Sequence, residues 1–98
     1  MARLHYADNG RVILGACDKE LLDKTIEDRE RGICLIINRD FFGTDEVTFG
    51  EFISMLKEAD TAFLVGEETV QLAVRAGAVS RTAEIRVKGV PYVMFSRW

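Results

Sequence analysis

Few residues in this chain could do chemistry at neutral pH. His5 is its one imidazole and Cys17 and Cys34 are its two thiols. A general base must sit in a cleft beside a nucleophile or a carboxylate. His5 instead falls on the wet phase of an edge-like strand and reads as a surface residue. A nucleophilic Cys34 would need exposure and a depressed pKa, whereas its neighbours Ile33, Leu35 and Ile36 are apolar. Both cysteines read as buried free thiols, although pairing rests on a Cα separation that sequence does not give. There is no Cys-x-x-Cys and no second His for zinc. Asp40, Asp45 and Glu46 follow no calcium-loop spacing and read as a solvated loop. No catalytic residue, metal site or cofactor is assigned. The strand-to-helix turn Val65-Gly66-Glu67-Glu68 is where an α/β protein could hold a phosphate, with Gly66 the candidate anion position. One glycine is no fingerprint, however, and the two glutamates complement the helix dipole themselves.

Charge is distributed unevenly. Residues 1–17 carry a net +1, residues 18–60 carry six basic and twelve acidic groups for a net −6, and residues 61–98 a net +2. The cations Arg3, Arg11, Arg86, Lys88 and Arg97 therefore share the terminal segments with the aromatics Tyr6, Tyr92, Phe95 and Trp98. If the N-terminal hairpin and the C-terminal strands are sheet neighbours, these groups could form one face. Cations on phosphates and bases on aromatics are how single-stranded RNA is held. The bland alternative is a mixed surface with Phe95 and Trp98 buried. Val93, Met94, Phe95 and Trp98 keep the tail apolar to its last residue, so it either completes the core or joins a partner or dimer interface.

The elements that must position these groups can be read from period and caps. Leu4 and Tyr6 alternate with Arg3 and His5, and Asn9-Gly10 favours a type I′ turn into a second strand, Arg11 to Cys17. Asp18 can cap a short helix through about Lys24, with Leu21, Leu22 and Ile26 inward. Whether residues 25–31 finish that helix or begin an extended segment is open. Glu27 to Gly32 reads as a solvated turn. Ile33 to Ile37, apolar on both faces, is expected in the middle of a covered sheet. Thr48 and Glu51 form a capping box, with a Val47–Phe52 staple. Phe49, Phe52, Ile53 and Leu56 give that helix one apolar stripe. Thr61 to Val65 is a buried strand. A helix from Gly66 carries Val70, Ala73 and Val74 and ends at Gly77. Ile85 and Val87 mark a half-wet strand that Gly89-Val90-Pro91 interrupts before the last strand. The expectation is one α/β domain over residues 1–98 with a mixed sheet, in the order β-β-α-β-α-β-α-β-β, and right-handed crossovers wherever parallel strands are neighbours.

Leu64-Val65-Gly66-Glu67, Val70, Leu72-Ala73, Ala76-Gly77 and Gly89-Val90-Pro91 together resemble a small archaeal family known as a domain of unknown function, family 424. Cys17-Asp18-Lys19-Glu20-Leu21-Leu22 and Phe41-Phe42-Gly43 are similar too, so the likeness spans nearly the whole chain. Two positions depart from the family pattern: Asp23 where Gly is usual, and Tyr92 where His often follows Pro. The resemblance implies an archaeal cytoplasmic protein and supplies no reaction.

Size and composition narrow the classes. Ninety-eight residues make one domain, and 48% apolar with 30% charged residues is a globular balance. A net charge of −3 argues against a globally basic nucleic-acid binder. The longest apolar runs, Val12–Cys17 and Ile33–Ile37, fall far short of the about 20 residues a membrane span needs. The N-terminus turns polar at Asp8 before a signal-peptide core could form, so a cytoplasmic location without membrane contact is expected. With no motif that carries a mechanism, the expected function is a non-catalytic binding or adaptor module, monomeric or homodimeric. Its acidic middle would meet solvent or a basic partner such as a ribosomal protein or initiation factor. The alternatives are an RNA-contacting protein of the translation apparatus, using Arg3, Arg11, Arg86, Lys88, Tyr92, Arg97 and Trp98, and an enzyme acting on a small molecule.

Overall fold

Val12–Cys17 and Thr61–Val65 are apolar in both phases of the strand period, which suits a sheet covered on both faces. A computed structural model, which describes residues 1–96, pairs these two segments with each other in parallel, from Ile13 opposite Thr61 to Cys17 opposite Val65. In chain order the elements are β1 (Ala2–Tyr6), β2 (Val12–Cys17), β3 (Thr25–Asp28), β4 (Ile33–Ile36), α1 (Arg39–Phe42), α2 (Phe49–Glu58), β5 (Thr61–Val65), α3 (Glu67–Arg75), β6 (Ile85–Val87) and β7 (Val90–Ser96). Single 3₁₀ turns stand at Lys19–Leu21 and Arg81–Ala83. Five strands form one mixed sheet in the order β1-β2-β5-β7-β6, antiparallel except for β2–β5, and β3–β4 is a separate antiparallel pair. The expected mixed α/β fold is the one observed.

Register assigns each side chain to a face. Leu14, Ala62, Leu64 and Val93 point to one side, where Phe52 and Leu56 of α2 and Val70 and Ala73 of α3 complete a closed core. The other side presents Gly15, Phe63, Val65 and Tyr92, and is covered by α1 and the β3–β4 hairpin. Both long helices are capped as their sequences require. Thr48 Oγ1 accepts the Glu51 N–H at 3.1 Å and Glu51 Oε1 accepts the Thr48 N–H at 2.9 Å. Gly77, at φ +76°, donates to the Val74 carbonyl while Ala78 donates to that of Ala73, the pairing of a Schellman end.

Several expectations need correction. The helix expected over Asp18–Lys24 is a single 3₁₀ turn, and the chain then extends into β3, although Leu21, Leu22 and Ile26 do pack inward. Ile33–Ile37 is not a central strand. Its residues 33–36 form β4, with Cys34 and Ile36 exposed, so only Cys17 is a buried thiol. The Phe49 ring, placed on the apolar stripe of α2, is 45% exposed; Phe52 and Leu56 carry the burial. The first hairpin turns through Gly10 alone in the left-handed region, with Asn9 outside it, so its turn is not type I′. Type I′ geometry appears instead at Lys88 (φ +52°) and Gly89 (φ +81°) between β6 and β7. Pro91 does not interrupt the strand. It pairs opposite Arg86 in the β6–β7 ladder, and its carbonyl accepts the Gly66 N–H at 2.9 Å just past the last β5–β7 pair, Val65–Tyr92.

Candidate functional site

Gly15 begins the site. It lies in β2 opposite Phe63, and with no side chain it lets the Phe41 ring settle on the strand; a Cβ there would stand 2.7 Å from the ring. Phe41 then stacks on His5 (centroids 4.9 Å, planes 9° apart) and meets Phe63 edge-on at 5.5 Å. His5 Nε2 lies 2.7 Å from the Phe41 carbonyl oxygen, which can only accept, so Nε2 carries the proton. Asn38 Oδ1 accepts the Phe41 N–H at 2.8 Å and caps α1. His5 is therefore an anchor for α1 rather than a free imidazole.

With α1 fixed over β1 and β2, and the hairpin held over β6, an apolar groove of about 240 Å³ remains between them. Cys34 and Ile36 of β4 form one wall and Phe41 the other, over a floor of Phe63, Val65 and Tyr92. Ile36, Met94 and Ile85 are exposed (63, 53 and 48%), and by register Met94 and Ile85 lie on the groove side of the sheet. Burial pushes the Tyr92 phenol above its usual pKa. The hairpin is clasped at both ends. Asp23 binds Arg39 at the start of α1; at the turn, Arg31 bonds Asp28 at 2.7 Å and reaches across to the Arg86 carbonyl. Asp23 sits at φ +68°, a conformation natural to glycine and tolerated by aspartate.

A second, polar crevice of about 310 Å³ opens beyond the carboxyl ends of β2 and β5, lined by Asp18, Lys19, Glu46, Thr48, Glu68 and Thr69. Its carboxylate is already engaged. Asp18 Oδ1 accepts the Thr69 N–H (2.8 Å) and hydroxyl (2.7 Å), and Oδ2 accepts the Glu68 N–H (3.1 Å). Lys19 pairs with Glu46 at 2.9 Å. Gly66, at φ +110°, has a structural task here: a Cβ would overlap the Asp18 carboxylate. The chain thus fills the α3 N-terminus, the candidate anion position, with its own carboxylate. Asp18 was legible only as a local cap. The missed signal is Gly66 itself, an N-cap residue with no side chain to cap with. Behind this crevice the buried Cys17 thiol is pushed up to about 11 by burial, and stays protonated at neutral pH.

The cations that could have formed one face are not brought together. β1 and β6 are the opposite edges of the sheet, with β2, β5 and β7 between them. Arg3 donates to the Asp40 carbonyl at 3.2 Å beside α1. Arg11 lies in the loop before β2, and Lys88 in the β6–β7 turn. Arg86 bonds Glu67 at 2.6 Å and the Gly89 carbonyl at 3.1 Å. Tyr92 faces the groove, while Arg86 pairs with Pro91 in the other phase. Arg97 and Trp98 lie outside the described residues. Of the apolar tail, Val93 and Phe95 join the core and Met94 faces out. Among the described residues no helix is long and apolar enough to cross a membrane, and no three of His, Cys, Asp and Glu gather as a metal-ligand set.

Comparison with known proteins places this arrangement in a family without giving it a reaction. No curated protein matches the chain. The fold is similar to the crystal structure of an uncharacterized conserved protein from Methanopyrus kandleri, with a TM-score of 0.77 over 96% of this chain and 87% of that one. Their sequences are 20% identical, so the likeness concerns fold alone. The family model described as "Protein of unknown function (DUF424)" matches residues 5–97. By that match, which covers nearly its whole length, the chain belongs to the DUF424 family.

Proposed function

We propose that this protein is a non-catalytic binding module that takes an apolar segment of a partner protein into the groove between α1 and β4. The observation that carries this reading is an open groove whose lining holds no charged side chain, with its Phe41 wall stacked on His5 and set edge-on against Phe63 of the floor. Its volume, about 240 Å³, is below the roughly 300–1,000 Å³ of small-molecule pockets and suits one or two side chains of a longer ligand. The groove offers a thiol and a phenol, Cys34 and Tyr92, without a base beside them, which favours binding over chemistry. A cytoplasmic setting is part of the proposal, since it keeps the exposed Cys34 thiol reduced.

Amide chemical-shift mapping of ¹⁵N-labelled protein tests the reading. A tryptic digest of whole-cell protein is titrated in, and bulk transfer RNA in parallel, each at several salt concentrations. Shifts centred on Phe41, Phe63 and Tyr92 that persist at high salt are expected from the peptide digest. Binding of RNA alone, weakening steeply with salt and mapping to Arg86 and Lys88, would replace this reading with the RNA-contacting one.

A further inference from the structure

We infer that the partner segment enters as an extended strand added to the open edge of β4, an inference that rests on the groove reading above. The hydrogen-bond register supplies the first argument. The Ile37 N–H donates to the Lys24 carbonyl at 3.0 Å, in register with Ile26–Leu35 and Asp28–Ile33. Antiparallel ladders alternate. Ile33 and Leu35 therefore direct their backbone groups to β3, and Cys34 and Ile36 direct theirs away from it. The small sheet holds only β3 and β4, so among the described residues no strand receives those groups.

The second argument compares the edges. Exposed edges are normally blunted by charge, proline, shortness or a cover. β1 carries Arg3 and lies against α1; β6 is three residues long, carries Arg86, and has its Arg86 carbonyl taken by Arg31; β3 carries Glu27 and Asp28. β4, Ile33-Cys34-Leu35-Ile36, is short at four residues but carries neither charge nor proline, and its outer edge faces the groove.

Area and charge then choose the occupant. A stable interface between folded proteins engages roughly 20–30 residues a side. This face offers three well-exposed apolar side chains: Ile36 on the narrow groove, and Met94 and Ile85 on the same side of the sheet. A single strand needs less area, because main-chain hydrogen bonds supply affinity and the groove only selects side chains. A second copy fits poorly. Antiparallel self-pairing about a two-fold axis would engage only the four residues of β4, because a turn precedes Ile33 and α1 begins at Arg39. That falls far short of the roughly 20–30 residues a side of a stable dimer. The occupant is thus an extended, uncharged segment of another protein, apolar at every second position, with that phase on Phe63 and Tyr92.

The test begins with a phage-displayed library of random heptapeptides panned on the intact protein. Selected peptides, and analogues N-methylated at alternate residues, are then synthesised. Amide exchange at Cys34 and Ile36 is expected to slow with peptide occupancy, while Leu35, already bonded to β3, changes little. Methylation in the phase that faces β4 should cost about tenfold in affinity, the worth of one or two main-chain hydrogen bonds. Groove shifts without slowing at Cys34 and Ile36, or indifference to methylation, would overturn strand addition and leave the groove reading intact. Failure of any selected peptide to reach the groove would take down both. Slowing at Cys34 and Ile36 that rises with protein concentration in the absence of peptide would make the occupant a second copy and overturn this assignment.

Discussion

The two faces of the central sheet use the same strands and are covered by different means. On one side the ten-residue α2 and nine-residue α3, both firmly capped, lie over Leu14, Ala62, Leu64 and Val93, each 0–1% exposed. On the other, the four-residue α1 and a two-stranded hairpin lie over Gly15, Phe63, Val65 and Tyr92. A four-residue helix is only about 6 Å long, whereas five strands span about 19 Å between their outer axes. The second face therefore keeps an open strip, and Met94 remains 53% exposed although its neighbour Val93 is buried. Burial concentrates on the helix side, and the hairpin side carries the open groove.

The largest expected effect contrasts adjacent residues of β5. Leu64→Ala empties a site at 0% exposure and should cost about 2–5 kcal/mol in urea unfolding. Phe63→Ala, one position away on the groove side, should cost less than half as much, because its ring already borders open space. An equal or larger loss at Phe63 would break the comparison. Next is the contact that locks the carboxyl end of β2 to α3. Asp18→Ala removes a carboxylate that accepts three hydrogen bonds and should cost about 1–3 kcal/mol. Gly66→Ala forces a Cβ into that same carboxylate at φ +110°, and should destabilise in the same direction. Since both act through one contact, the double variant should lose clearly less than the sum of the two, as a double-mutant cycle would read.

That lock also shows what the sequence could convey. The Thr48–Glu51 box, the Gly77 end and the β5 core were legible because each is encoded within a few residues. Asp18 was not, since its partner Thr69 lies 51 positions away and an aspartate before a short apolar run looks like a local cap. Ile33–Ile36 misled for another reason. Its groove-side phase is as apolar as its core-side phase, and pattern alone cannot separate a strand buried by its own sheet from one that borders an open groove. The shared cation face depended on strand order, and β5 lies between the terminal hairpins without any residue announcing it.

Acid should act on the hairpin first. Hydrogen bonds from Arg39 and Arg31 hold the Asp23 and Asp28 carboxyls below their usual pKa. A depressed folded-state pKa means that the contribution is present above the unfolded value, near pH 4, and is lost as pH falls through the folded value. Below about pH 4, protection of β3 and β4 amides should decline before that of β5. The effect should be modest, because Asp23, Arg39 and the Arg31 guanidinium are exposed to solvent and only Asp28 is nearly buried. Simultaneous loss of protection in β5 would mean that the hairpin and the sheet unfold as one unit.

The smallest effect on stability should accompany a full effect on binding. Ile36 is 63% exposed on the outer phase of β4, so Ile36→Lys should change the unfolding free energy by no more than about 0.5 kcal/mol. The same substitution sets an ammonium on the groove wall and gives the edge the charge that protected edge strands carry. It should abolish the amide shifts at Phe63 and Tyr92 that a groove-binding peptide produces. A conservative Ile36→Val change should keep both stability and binding. A stability loss of several kcal/mol from Ile36→Lys would instead mean that the outer phase of β4 helps to hold the fold together. The division of labour between the two faces would then be wrong at the residue where it is drawn most sharply.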